Sequence, residues 1–336
     1  MFGWFVFYIL SFSLFITNKK VIIFVYPILF WIFVGFRDNI GTDYPFNLNA
    51  ISRSYIPFKD FITESDTYSW FDLELLNKFV AMLLCELNLK VKYYYVFVAG
   101  IEALIISYIL RKCNNTKLFL LYFICFFTIS LPMNATRQGI CFLFVVLAFF
   151  FESRNKIPQR YISYLLGVLS HYASTAVTVF MCFKAKNVRS VIVLVVLLLM
   201  FYQYIDLDTM SARYAGAFTA YKIKGLGLRI YLYCFLVVYP ARKVLNWDYF
   251  SYENVLLYIL MIGVFILSPF IRLYNFYNHL MAFYILVYAD REKVINKKIL
   301  MLFPFAALFF ELFEIIRTPY IPTAGVWFPY ANWLFD

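Results

Sequence analysis

What most constrains this chain is a succession of uninterrupted apolar runs, near residues 2–17, 20–36, 93–110, 117–133, 138–152, 161–183, 190–205, 228–241, 254–271, 273–289 and 299–316. Most span roughly 17 or more residues, enough for a helix to cross about 30 Å of hydrocarbon, and they are continuous where barrel strands would alternate. With 64% of residues hydrophobic, 23% aromatic and 15% charged, the chain carries more apolar surface than a water-soluble core could hide. These runs predict an all-α polytopic integral membrane protein: residues 1–336 form a single transmembrane helical domain of about 11–12 transmembrane segments. The run that follows Met1 has neither a basic leader nor a small-residue cleavage site, so no cleavable signal peptide is expected.

A net charge of +11 would suggest nucleic acid if it were spread over one surface. Here the cations sit in short clusters between apolar runs, which is a topology signal, and no nucleic-acid partner is expected. If Lys19 and Lys20 are cytoplasmic, then Arg111, Lys112 and Lys117 fall on the same side, as do Arg154, Lys156 and Arg160, then Arg242 and Lys243, then Arg291, Lys293, Lys297 and Lys298. Lys184, Lys186 and Arg189 then have the wrong parity. Parity is restored if 161–183 enters the membrane and returns, broken or re-entrant near Ser170-His171-Tyr172. Both termini, the loop 37–92, the loop 206–227 and the tail 317–336 then share the outer side.

Within 37–92, Phe71, Leu75, Leu76, Phe79, Val80, Leu83 and Leu84 are spaced for one apolar helix face. That spacing predicts an amphipathic helix, lying on the membrane or packed in a small cap. The sequence has no internal repeat, heptad run or low-complexity tract, so the duplicated halves of many secondary transporters are not supported. Cys85, Cys113, Cys125, Cys141, Cys182 and Cys234 form no Cys-x-x-Cys pair and read as small packing residues. With two histidines, no metal-ligand spacing and no phosphate-cradling glycine motif, neither a metal nor any other cofactor is expected. Any reaction must then draw its energy from an activated substrate.

The candidate site residues are polar groups stranded near the outer ends of helices: Arg37, Asp38, Asp43, Arg137, Gln138, His171, Arg213, Arg272 and His279. An unpaired charge in hydrocarbon costs several kcal/mol, so such groups face water, a cavity or a charged ligand. Arg37 and Asp38 open the largest polar segment, Arg37-Asp38-Asn39-Ile40-Gly41-Thr42-Asp43-Tyr44. Arg137 follows Asn134-Ala135-Thr136 at a predicted helix start, where free backbone N–H groups and the helix dipole already favour an anion. Arg272 precedes His279 by about two helical turns. The alternative for each arginine is that it snorkels to lipid headgroups. Their convergence on one side favours a shared site.

Three ordered motifs carry a family resemblance: Gly41-Thr42-Asp43-Tyr44 after an Arg-ended helix, Arg137-Gln138-Gly139-Ile140 opening a helix, and Ser170-His171-Tyr172-Ala173-Ser174 closing an apolar half-helix. In order and spacing the chain resembles the EpsG family of Wzy-type polysaccharide polymerases, with a weaker echo in Arg272-Leu273-Tyr274-Asn275-Phe276-Tyr277. The resemblance implies a bacterial inner-membrane glycosyltransferase with its site facing the periplasm. It would move a growing O-antigen, capsular or exopolysaccharide chain from undecaprenyl pyrophosphate to a sugar hydroxyl of a new lipid-linked repeat unit. Its partners would be those repeat units and membrane lipids, with a chain-length regulator as a further candidate.

Such a donor carries its own leaving group, and cations can stabilise the negative charge developing on the departing pyrophosphate. Arg37, Arg137, Gln138, Arg213, Arg272 and Tyr44 are the substrate-binding candidates. A base must take the acceptor hydroxyl's proton: His171 is the first candidate and Asp43 the alternative, with Asp38 and His279 behind them. Two other readings fit the residue types, a lipid-linked oligosaccharide flippase or other transporter, and a membrane-bound acyltransferase with His171 as base. The missing repeat weighs against the flippase, and the ordered arginine motifs weigh against the acyl donor.

Overall fold

The computed structural model describes residues 2–38, 40, 44–63, 74–128, 131, 136–171, 226–249, 251–266, 270–292, 298–317 and 331–332, which are mostly helical. The helices follow the apolar runs closely. The run 190–205, most of the loop 206–227 and the second half of 161–183 lie outside the described residues. Contacts divide the chain into two compact units, one of Met1–Glu152, Lys156–Tyr172 and Pro304–Asp336, the other of Ser153–Asn155 and Ala173–Phe303.

The first unit contains α1 (Phe2–Ser13), α2 (Lys19–Gly35), α3 (Tyr44–Arg53), α4 (Phe58–Thr63), α5 (Leu75–Glu86), α6 (Tyr93–Lys112), α7 (Thr116–Tyr122), α8 (Thr136–Glu152) and α9 (Ile157–Ser170). The helix of α7 continues as a π turn over Phe123–Phe127. Side-chain caps set two of the starts. The Asn18 side chain accepts from Val21 N at 3.0 Å ahead of α2, and that of Asn115 accepts from Leu118 N at 3.4 Å ahead of α7. Asn88 and Asn155, just past α5 and α8, take φ of 53° and 57°, the left-handed geometry that asparagine tolerates at helix ends.

Two ends of this bundle can be told apart. Lys19 Nζ at the start of α2 donates to Cys113 O at the end of α6 over 2.6 Å, so α2 and α6 run antiparallel. At their other ends they approach closely: a Cβ on Gly35 would stand 3.2 Å from Val96 Cα and 3.3 Å from Ala99 Cβ. Tyr26 stacks on Phe123 and Phe30 on Phe127 along α7, and Tyr108 of α6 meets Phe150 and Phe151 near the end of α8. Lys19, Arg111 and Lys112 therefore share one end, while Arg37, Tyr94, Tyr95 and the start of α8 share the other. From the basic end, α9 rises through 14 residues, about 21 Å, and stops at Ser170. His171 follows in extended backbone (φ −167°, ψ 138°), where the sequence placed the break.

Two features of the 37–92 segment emerge only in the structure. A two-residue antiparallel ladder pairs Arg37 with Asn332 and Asp38 with Ala331, bringing part of the tail onto the polar segment. The segment 37–92 contains α5, whose buried face mixes polar and apolar residues. Asn77, Lys78, Val80, Ala81, Met82 and Leu84 are buried, whereas Leu75 and Phe79 are 43% and 49% exposed. Asn77 on that face is held by three partners at the site end.

Among the described residues one helix, Tyr93–Lys112, is long and apolar enough to cross a membrane by itself; Gly3–Ile16, Thr116–Phe127, Glu253–Ile262 and Lys298–Phe310 are shorter apolar segments. The second unit contains α10 (Leu226–Leu245), α11 (Tyr252–Ile266), α12 (Phe270–Arg291) and the first turns of α13 (Lys298–Arg317). Tyrosines of α12 bolt it together: Tyr274 Oη donates to Ile230 O at 2.6 Å and Tyr277 Oη to Glu253 O at 3.3 Å. The described cysteines are free thiols, Cys113, Cys125, Cys141 and Cys234 buried and Cys85 half-buried, as packing residues would be.

Candidate functional site

Arg37 leaves the end of α2 as extended backbone and turns its guanidinium inward, 1% exposed. Its Nη1 donates to Val34 O at 2.8 Å and its Nη2 to Thr136 Oγ1 at 2.6 Å. The guanidinium carbon lies 4.6 Å from the Tyr95 ring centroid and 5.9 Å from that of Tyr44, with the two rings stacked at 4.5 Å. Tyr95 Oη donates to Tyr44 O at 2.9 Å, and Tyr44 Oη to Asp38 Oδ1 at 3.3 Å. Cation–π contact and hydrogen bonding satisfy a charge that burial would otherwise disfavour. Arg37 thereby ties the end of α2 to the first residue of α8.

Because Thr136 opens α8, Arg137 is held in its first turn, at a helix N-terminus as the sequence placed it. The Arg137 side chain remains 27% exposed. Its Nε donates to Asn47 Oδ1 on α3 at 3.0 Å and its Nη1 to Glu74 Oε2 at 2.8 Å. The other carboxylate oxygen of Glu74, Oε1, stands 2.5 Å from His171 Nδ1. One carboxylate, 2% exposed, thus joins the arginine that opens α8 to the histidine that ends α9.

A second layer holds Glu74. Asn77 Nδ2 donates to Glu74 Oε2 at 3.2 Å and to Ser170 O at 2.8 Å, and Tyr94 Oη donates to Asn77 Oδ1 at 2.6 Å. The residue preceding His171 is therefore pinned to α5, which is pinned to α6. Burial by itself would raise the Glu74 carboxyl above its usual range, but the charges of Arg137 and then His171 outweigh it and hold the group down, from 4.5 to about 2. Near neutral pH Glu74 is an anion between two nitrogen donors.

Residues 20–332 match the EpsG family. The chain belongs to the EpsG family. EpsG proteins are polysaccharide polymerase-like membrane proteins, and the match covers nearly the whole chain. No curated protein and no solved structure matches it.

In this EpsG chain the structure brings Arg137 and His171 together, and places Arg37, Asp38 and Tyr44 as a second, linked cluster at the same end of the first unit. Gln138 is half-buried beside Arg137 on α8. His279 belongs to the second unit, 4% exposed, packed edge-on against Tyr233 and Phe303 with ring centroids 5.5 and 5.8 Å away. The backbone of Arg272 lies in the first turn of α12, but its side chain, like Asp43 and Arg213, lies outside what is described.

Glu74, Asn77 and Tyr94 are the residues that sequence reasoning missed. Glu74 sits in a stretch that carries no motif, and the apolar spacing of 71–84 drew attention to the leucines around it. No local signal marked it: Glu74 falls within the predicted apolar spacing, and its carboxylate caps no helix N–H.

Proposed function

We propose that this EpsG-family protein is a Wzy-type polymerase of the bacterial inner membrane, acting on lipid-linked repeat units at the periplasmic face. The observation that carries the reading is the Arg137–Glu74–His171 chain: a cation at a helix N-terminus beside an imidazole at a helix break, in a family of polymerase-like membrane proteins. Glycosyl transfer from a polyprenyl pyrophosphate needs those two functions, stabilisation of a departing pyrophosphate and removal of a proton from the attacking hydroxyl.

In this reading Arg137, 27% exposed in the first turn of α8, faces the donor phosphates, and Arg272 and Arg213 are kept as the further cations that the sequence suggested. Arg37 is buried and committed to Val34 and Thr136, so it acts one step back by holding the start of α8. His171 is the base, with Asp43 the alternative; Asp38 and Tyr44 line the neighbouring polar cluster, and Gln138 offers the acceptor sugar a hydrogen bond. The remaining span assignment, about 11–12 crossings with a return near His171, belongs to the same proposal. The 37–92 loop, the 206–227 loop and the tail would then lie in the periplasm. The competing reading, a lipid-linked oligosaccharide flippase, shares the need for arginines around a cavity.

Deletion of the gene separates the two. Loss of the polymerase collapses the surface-glycan ladder to a single repeat, with lipid-linked single units accumulating on the outer leaflet. Units retained on the cytoplasmic leaflet would identify a flippase instead.

A further inference from the structure

Glu74 has a 2% exposed side chain, so it is poorly placed to meet a sugar hydroxyl itself, whereas His171 keeps 18% exposure. The two oxygens of Glu74 are divided between partners: Oε2 accepts from Arg137 Nη1 and Asn77 Nδ2, and Oε1 faces His171 Nδ1 alone among the hydrogen bonds described for that oxygen. An ionised carboxylate can only accept, so the proton in the Glu74–His171 contact resides on Nδ1. A neutral imidazole with its proton on Nδ1 carries its lone pair on Nε2.

We propose that Glu74 is a positioning residue that fixes His171 as the Nδ1–H tautomer, directing Nε2 to accept the proton of the acceptor sugar's hydroxyl. The use of that lone pair rests on the polymerase reading; the tautomer does not. In the transfer step the acceptor oxygen forms a bond to the anomeric carbon of the donor while its proton passes to Nε2. The bond from the anomeric carbon to phosphate oxygen breaks with its electron pair remaining on the lipid pyrophosphate. His171 becomes an imidazolium opposite the Glu74 anion and later returns the proton to solvent. The anion stabilises that charged ring, and in the same position it orients the ring before reaction.

The rest of the network serves the same end. Asn77 holds Ser170 O and Glu74 Oε2 with one amide nitrogen, which sets the backbone that carries His171 against the carboxylate that orients it. Arg137 on the far oxygen keeps Glu74 ionised, so the phosphate-facing cation and the base are linked through one acid.

The chain contains two histidines, so nitrogen-15 NMR of histidine-labelled protein in detergent, with a His279→Gln variant to assign the second ring, reads the tautomer directly. At about pH 8.5, where an ordinary imidazole is neutral, His171 is expected to show a protonated Nδ1 and an unprotonated Nε2. Glu74→Gln is expected to give a mixture of tautomers. With purified lipid-linked units, the same variant should lower kcat by about ten- to a hundredfold while leaving KM within about threefold. A wild-type ring protonated on Nε2, or on both nitrogens, at that pH overturns the proposal, as does Glu74→Gln turning over at the wild-type rate. If the deletion strain instead behaves as a flippase mutant, the polymerase reading fails while the tautomer result stands on its own.

Discussion

Arg37 Nη2 donates to Thr136 Oγ1 across 2.6 Å, although the two residues lie 99 positions apart in the chain. The contact joins the polar segment after α2 to the start of α8, one residue before the arginine that faces the proposed donor. Thr136→Val keeps the shape of the side chain and removes the acceptor from a buried guanidinium. It should destabilise the protein by about 1–3 kcal/mol. A thermal midpoint of the detergent-purified variant equal to wild type would show that the bond contributes nothing to stability.

Arg137 divides its donors between Asn47 Oδ1 and Glu74 Oε2. A lysine ammonium cannot reproduce that planar fork, so Arg137→Lys should slow polymerisation about tenfold or more at matched abundance. The rate of ladder growth from purified lipid-linked units measures it. Wild-type rates from both Arg137→Lys and Arg137→Ala would leave this residue a structural tie.

Acid should weaken the site through Glu74. Its folded-state carboxyl lies below the ordinary value, moved from 4.5 to about 2 by Arg137 and His171 against the opposing effect of burial. The sign follows: the stabilisation is fully present above the unfolded value and is lost as pH falls through the folded one, a difference on the order of 3 kcal/mol. Thermal midpoints recorded between about pH 5 and pH 2 should fall more steeply for wild type than for Glu74→Gln. Parallel slopes would remove the linkage.

Glu102 on α6 is fully buried, and neither carboxylate oxygen has a hydrogen-bond partner among the described residues. Either protonation state is costly there, since an ion lacks a contacting counter-ion and an acid leaves its O–H unpaired. Glu102→Met should raise the thermal midpoint, by the equivalent of about 1–3 kcal/mol. A lower midpoint would mean that the carboxyl has a partner in the folded protein.

The orientation can be read by labelling. In a cysteine-free background, Leu48→Cys should react in intact cells with a maleimide that does not cross the inner membrane, and Asn187→Cys should not. The opposite pattern would invert the topology and put the Arg137 end of the bundle in the cytoplasm.

The sequence by itself determined the helices, because a continuous apolar run of this length satisfies its backbone internally as a helix, and the runs at 20–36, 93–110 and 138–152 reappear as α2, α6 and α8. It pointed to His171 as well, since the alternation of the basic clusters asked for a turn near the residue at which α9 ends. It singled out Arg137 from its place at a helix start. What only the tertiary structure decided is which polar groups meet. Arg37 was legible as a charge at a helix end, but whether it reached outward to a ligand or inward to Tyr95 and Thr136 depended on how closely α2, α6 and α8 pack. Glu74 was illegible because its partners lie 63 and 97 positions away, and no local periodicity records a contact between a loop, a helix start and a helix end. Hydrophobic spacing could show α5 as an amphipathic helix, but which of its polar groups reaches the site depended on tertiary contacts, because the three partners of Asn77 come from the residue before α5, from α6 and from the end of α9.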